Sequence, residues 1–404
     1  MKARVYIAAA IALTIVFAGP IRGQFSAPPT AGVSARADGS SAASTTAPNK
    51  APEDVLSPAE WRRVDAAIDR ALPWLAAQQQ PDGSFPTLPL GQPAVTSLCV
   101  LAFMAHGHNP GEGPYGARLE AAIDFVLDRQ KENGLITLFG PEGPRISRSV
   151  THEIGQTAAY NHSISSLMLS EVYGMSEAGR AERIEKAINK SLAATIEMQR
   201  WPKDNPVDHG GWRYVDDFDM SDSDMSITGW QLMFLRSARN AGFNVPKQSI
   251  DDAIGYVRRN FDRNYGAFVY MSNRPDGRSR GMAGAGILAL GHAGFHNSVE
   301  AQRTGQWLLQ YNFNIYNDSQ LLPQRDRYHY SLFNSCQGMY QLGSPFWEQF
   351  FPRAAQTVLA HQRPEGCWDA ESHYRDGVYG NSYTTALVLL SLGAPNQLLP
   401  VFQR

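Results

Sequence analysis

The sequence predicts an all-α fold, an (α/α)6 toroid of six helical hairpins in two concentric rings. Three features carry this prediction: a short glycine-bearing turn recurs along the chain, an apolar helix pattern follows each turn, and an amphipathic pattern precedes it. The turns read "QQQPDGSF", "RQKENGLI", "MQRWPKDNPVDHGGW", "NFDRNYGAF" and "HQRPEGCW", with glycines Gly83, Gly134, Gly211, Gly266 and Gly366. The unit is about 50 residues long, with additions in the third copy. A degenerate copy near "LLQYNFNIYN" falls inside the last interval.

Taken in order, the chain begins with Lys2 and Arg4 ahead of "VYIAAAIALTIVFAG", an apolar run too short to span a membrane with confidence but suited to export. Residues 1–23 are read as a signal peptide, so the protein is expected to be exported to a periplasmic or extracellular space; the alternative is that the same segment stays uncleaved as an N-terminal anchor. Residues 24–56 are rich in Pro, Ala, Ser and Thr and have almost nothing to bury, which predicts a disordered tether. The toroid occupies residues 57–404. Its half-polar helices, such as "PAEWRRVDAAIDRALPWLAAQQ" and "RAERIEKAINKSLAATIEMQ", carry apolar residues at i, i+3/i+4 and i+7 and bury one stripe. The alternating helices, such as "PAVTSLCVLAFMAHG" and "SYTTALVLLSLGA", are apolar on all sides and must be surrounded, which puts them in the inner ring. An open superhelical stack is the competing arrangement. In a closed ring the N-terminal ends of the inner helices share one mouth, with free backbone N–H groups facing it.

Composition limits the function. A chain of 404 residues that is 43% hydrophobic and 18% charged can bury one large core. The formal net charge of −2 supplies no phosphate-neutralising patch, which argues against nucleic acid as a partner. Three cysteines, Cys99, Cys336 and Cys367, leave at least one unpaired; a bridge between Cys336 and Cys367 cannot be read from sequence. No G-x-S-x-G, H-E-x-x-H, Walker loop or dinucleotide fingerprint occurs, and no cofactor is implied.

The Gln-x-x-x-Gly-x-aromatic turns, as in "QRPEGCW", resemble the QW repeats of the terpenoid cyclase and protein prenyltransferase superfamily, which is built on an (α/α)6 toroid. The resemblance covers residues 57–404. "GGWRY", "SDMSITGWQLMFLRSARNAG" and "YGNSYTTALVLLSLGAPNQLLPVFQR" look most like the squalene cyclase-like repeat proteins of bacteria. Squalene and hopene cyclases protonate an alkene with a D-x-D-D-T motif on an inner helix, the middle Asp being the acid. The matching run here is Asp222, Ser223, Asp224, Met225, Ser226, so the third acid is replaced by Met225. Those enzymes also combine two toroid-type domains, whereas this chain has length for one. The metal-dependent prenyltransferases hold zinc with Asp, Cys and His; Cys367, Asp369 and His373 offer those residue types in a different order, and no metal is expected there.

The resemblance implies candidate catalytic residues Asp224 as proton donor, with Asp222 and His162 tuning it. Tyr160, Trp212, Trp230, Tyr328, Tyr330 and Tyr383, at the entrances of inner helices, are the candidate ligand-binding aromatics, whose faces would stabilise a cation. Each has a plainer use. Asp and Ser at a helix start cap it, worth about 1 kcal/mol; a His there is often a packing residue, His329 in "RYHYS" included; aromatics at helical spacing are often core. The dense acids Asp216, Asp217, Asp219, Asp222 and Asp224 suit Ca²⁺ or Mg²⁺ as well as a solvated insertion. The expected partner is a hydrophobic, isoprenoid-like small molecule. The alternative is a non-catalytic toroid that binds proteins or polymers of the cell envelope, and a third is a toroid acting on polysaccharides, for which no distinctive carboxylate pair stands out.

Overall fold

Each of the repeated turns is tied down by one side-chain amide. In the computed structural model, Gln79 Nε2 donates to the carbonyl of Gly83 in its own turn and to that of Arg118 in the next outer helix. Gln130 does the same to Gly134 and Ala187, Gln199 to Gly210 and Ser249, and Gln362 to Gly366 and Ala67. The structure describes residues 51–217, 222–272, 274–318, 326–371 and 375–403, all within one compact unit, Pro48–Arg404.

Twelve α-helices are present among the described residues. The outer ring comprises α1 (Pro58–Ala77), α3 (Gly116–Leu127), α5 (Ala178–Gln199), α7 (Lys247–Arg259), α9 (Val299–Gln310) and α11 (Phe346–Leu359). The inner ring comprises α2 (Ala94–Met104), α4 (His152–Glu171), α6 (Met225–Asn240), α8 (Arg280–His292), α10 (Tyr328–Leu342) and α12 (Gly380–Leu392). Each inner helix packs on the next, and α12 packs on α2, so the ring is closed and the open stack is excluded. Burial divides the rings as expected. Every residue of α2 is buried, whereas α1 buries Val64, Ala67, Ile68, Ala71, Leu72 and Leu75, one stripe at helical spacing. Ser57 and Glu60 form a capping box at the start of α1, and Leu56, just ahead of the expected boundary, is already buried.

The turn glycine is fixed by space and by conformation. Gly83, Gly134, Gly210 and Gly366 all have positive φ, and a Cβ at any of them would collide with the backbone carbonyl of Ala121, Lys190, Asp252 or Arg70 respectively, in the next outer helix. In the third repeat this position is held by Gly210; the sequence reading assigned it to Gly211. The residue two beyond the glycine is buried: Phe85, Ile136, Trp212 and Trp368. Its backbone N–H is received by the following inner helix, at Thr96, His162, Thr228 and Thr385.

Between α7 and α8 the turn is replaced by an antiparallel sheet, ordered β1 (Phe261–Asp262), β2 (Ala267–Met271), β3 (Arg274–Arg278), with a register shift between Val269 and Met271. The all-α expectation therefore gains a small sheet. Here α8 approaches α10 so closely that a Cβ on Gly284 would meet the backbone of Asn334 and Ser335, which explains the small residues of "GMAGAGILALG". Beyond α12 the chain crosses the floor of the ring. Val401 donates its N–H to Glu171, Phe402 receives Gln341 Nε2 on its carbonyl, and its ring packs edge-on against Phe333. Phe333 in turn stacks on Trp230 at 5.5 Å. All three cysteines are free and buried.

Gly366→Ala is expected to lower stability by at least about 2 kcal/mol through backbone strain and displacement of α1. Gly179→Ala, where nothing lies within 4 Å of the new methyl, should leave it unchanged or raise it slightly. Urea unfolding of both variants checks the difference.

Candidate functional site at the mouth of the ring

The N-terminal ends of the inner helices gather a polar and aromatic cluster around a buried ion pair. Asp224 is the N-cap of α6: its Oδ1 accepts the backbone N–H groups of Ser226 and Ile227 at 2.8 and 2.9 Å. Its Oδ2 accepts Arg213 Nη1 at 2.5 Å, and both side chains are almost wholly buried. The Arg213 guanidinium lies over the ring of Tyr214, 3.8 Å from its centroid, and donates to Tyr270 Oη at 2.6 Å. Burial works against the charge on Arg213, but the adjacent Asp224 carboxylate holds its pKa above the ordinary value. Tyr270 and Tyr214 share a hydrogen bond of 2.7 Å, and Gln156 Nε2 donates to Tyr214 Oη.

A second branch leaves Asp224 through Ser226, whose Oγ is 2.6 Å from Asp224 Oδ1 and 2.7 Å from Tyr160 Oη. Tyr160 is half-buried and lies within the field of Tyr214, Tyr330 and Arg327. Tyr379 and Tyr383, half-buried at the start of α12, face each other at 5.5 Å. Beside the ion pair, His152 Nδ1 meets the buried Asp216 carboxylate at 2.7 Å, and its ring lies edge-on to Tyr214.

Several candidate residues are thus brought together and others are not. Asp224 and Tyr160 belong to the central assembly, with Tyr330 close to Tyr160; Trp230 is buried against Phe333, and Tyr383 faces Tyr379 at the start of α12. Asp222 turns away from Asp224, receiving the Asp204 backbone N–H on its carboxylate and Lys203 Nζ on its carbonyl. His162 occupies the position at which other repeats use Thr96, Thr228 or Thr385. Its Nδ1 accepts the Ile136 N–H, so its Nε2 carries the hydrogen toward Thr195, and it takes no part in tuning the acid. Burial lowers its pKa to about 3. Trp212 is the buried turn aromatic, its Nε1 donating to the Thr195 carbonyl between α5 and α6. Tyr328 is buried against Phe313 and Tyr316. These corrections share a cause: being near a helix start does not fix which way a side chain faces.

His329 is bonded to the buried Glu371 and to Tyr316, away from the ion pair. Asp217 and Asp222 share Arg148, which also donates to the Asp216 carbonyl, while the Asp216 carboxylate meets His152 and that of Asp224 meets Arg213; Asp219 lies outside the described residues. Of the three zinc-type residues, Asp369 is held by Arg363 and Cys367 is near Asn381 Nδ2, while His373 lies outside the described residues. Among the described residues no group of three His, Cys, Asp or Glu side chains could hold a metal.

Arg213, Tyr214, Ser226 and Tyr270 were not singled out in the sequence. For Arg213 a signal existed: the segment pairs in extended form with Asp224, and side chains alternate along extended backbone, so the neighbour of core-facing Trp212 faces the other way. Tyr270 sits at the bulge in β2, which re-aims it and leaves no sequence trace.

Asp224 accepts a hydrogen bond at both oxygens, from two backbone N–H groups, a hydroxyl and a guanidinium.

No known sequence family matches this chain, nor does any curated protein sequence. Solved structures do. An Asp-to-Asn variant of the type II terpene cyclase MstE from Scytonema, in complex with geranylgeranyl dihydroxybenzoate, superposes with a TM-score of 0.52 at 15% identity, covering 85% of this chain and 100% of that one. The family 76 glycoside hydrolase Bt3792, a mannosidase from Bacteroides thetaiotaomicron VPI-5482, gives 0.53 at 10% identity, covering 83% and 98%. The chain therefore has a terpene-cyclase-like α/α toroid fold, one also used by glycoside hydrolases.

Asp224→Asn should cost about 3–5 kcal/mol, because it leaves the Arg213 charge buried and unpaired while keeping a cap; thermal and urea unfolding read this directly. Neutral, buried His162 makes stability full above its ordinary pKa and lets it fall as the pH drops toward 3. His162→Thr is therefore expected to flatten the slope of unfolding free energy between pH 4 and 6 by up to about 1.4 kcal/mol per pH unit, one proton's worth.

Proposed function

We propose that this chain is an exported, terpene-cyclase-like toroid that binds an isoprenoid-type ligand in the mouth of its inner ring and does not itself protonate that ligand. The observation that carries the reading is the Arg213–Asp224 ion pair beneath a rim of half-buried tyrosines. Where the cyclases keep their acid, this chain keeps a carboxylate committed to a cap and a guanidinium. The half-buried phenol rings of Tyr160, Tyr330 and Tyr383 offer apolar faces at the entrance, and the buried Trp230–Phe333 stack packs the ring beneath them. Residues 1–23 then direct export and residues 24–50 act as a tether, the toroid beginning with the short helical turn Pro52–Val55 and buried Leu56. Among the described residues no helix is long and apolar enough to cross a membrane. A polymer or protein of the envelope is the alternative occupant of the same rim, since phenol faces also stack on sugar rings.

The test is titration of the full chain with geranylgeranyl-bearing ligands, squalene and soluble mannan, followed by intrinsic fluorescence, with gas chromatography and mass spectrometry of the lipid after incubation. Saturable binding of an isoprenoid, weakened at least about tenfold in Tyr330→Ala, with the lipid recovered unchanged, is the expected result. Binding of mannan alone would transfer the assignment to the polymer. Cyclised products that vanish in Asp224→Asn would overturn the statement that no proton is donated.

A further inference from the structure

The Tyr160–Ser226–Asp224 relay has one consistent set of hydrogen positions. Asp224 accepts hydrogen bonds at both oxygens and donates none. Ser226 Oγ carries a single hydrogen, and the 2.6 Å contact with Asp224 Oδ1 takes it. The 2.7 Å contact between Ser226 Oγ and Tyr160 Oη can then be closed only by the phenol hydrogen. Burial, and after it the neighbouring Tyr214 and Asp224, push the Tyr160 pKa well above its ordinary value, so the phenol keeps that hydrogen. The consequence at the mouth is directional. Tyr160 points its hydrogen inward along the relay, so the hydrogen-bonding capacity left on its oxygen is that of an acceptor.

Resting on the isoprenoid reading above, we infer that Tyr160 selects the polar head of the ligand, accepting a hydrogen bond from a donor such as the hydroxyl of a prenyl alcohol. A diphosphate head, which brings acceptors and negative charge, would face the phenol lone pairs with the Asp224 carboxylate behind them. A pure hydrocarbon would leave the phenol oxygen desolvated without a partner, at a cost. Ser226 is the positioning residue: it fixes which way Tyr160 points its hydrogen.

The experiment compares geranylgeraniol, its methyl ether, geranylgeranyl diphosphate and squalene as ligands of the full chain, by fluorescence titration against wild type, Tyr160→Phe and Ser226→Ala. Wild type is expected to bind the alcohol about tenfold more tightly than the ether. Tyr160→Phe should bring the two together. Ser226→Ala removes the inward acceptor, releases the phenol hydrogen toward the mouth and should raise the affinity for the ether to at least that for the alcohol. Loss of packing in either variant would weaken both ligands alike, so the ratio separates selection from a merely structural role. Equal binding of alcohol and ether to wild type, or tighter binding of the diphosphate, overturns the head-group assignment and leaves the isoprenoid reading standing. Failure of all four to bind wild type overturns both.

Discussion

A single glutamine amide, used four times over, makes this chain a ring. Its two hydrogens go to two carbonyls, one in its own turn and one in the neighbouring outer helix, so each hairpin is joined to the next at a fixed distance and angle. The bond leaves no room for a side chain at the turn glycine, and the backbone N–H two residues on is drawn to the next inner helix. Gln362 makes the decisive instance, since its second carbonyl belongs to Ala67 at the other end of the fold. Where the pattern lapses, other contacts take over. Asn260 at the end of α7 bonds back to Tyr256 within its own helix. There the rings are held by the β-sheet, by the close approach of α8 to α10, and by the buried Arg280–Asp326 pair that joins their N-terminal ends.

That framework sets the chemistry available at the mouth. Six inner helices start at one end of the ring, and their free N–H groups favour an acceptor there. Asp224 fills this role for α6, and once capped it has a negative charge that a buried site must neutralise. Arg213 does so, arriving on the extended segment that the third turn sends across the mouth. The tyrosines follow from the pair: they cover the guanidinium with ring faces, and Tyr270 accepts a hydrogen bond from Nη1. A position that could hold an acid thus becomes the foundation of a polar floor.

The ring was legible from sequence because its causes are local and repeated. A Gln, a Gly four residues later and a large apolar residue two beyond that recur at Gly83, Gly134 and Gly366, with the same helical patterns on either side. The third repeat shows the limit: with the insertion between Gln199 and Gly210 the spacing gives no choice between adjacent glycines, and only the collision with Asp252 decides it. The site was legible in place but less so in membership. Asp224 was in reach because it caps an inner helix, and Trp230 because it lies in the second turn of one; Tyr160 lies more than two turns into α4, which begins earlier than the sequence suggests. His162 and Trp212 lie in the same stretches and face the opposite side, and their repeat-equivalents, Thr228 for one and Trp368 for the other, would have assigned both to the framework. Tyr270 depends on a bulge that no local pattern announces.

The segment beyond α12 gives the ring a temporal order. Val401 bonds to Glu171, 230 residues earlier, and Phe402 fills the space beneath Phe333. Contacts of such separation form late, because the whole intervening loop must first be ordered. The contacts that join the last repeat to the first span still more of the chain, so neighbouring hairpins can pair before the ring closes and before its floor is laid. A chain ending after α12 would lack the Val401–Glu171 bond and the Phe402–Phe333 contact, leaving Phe333 uncovered on that side.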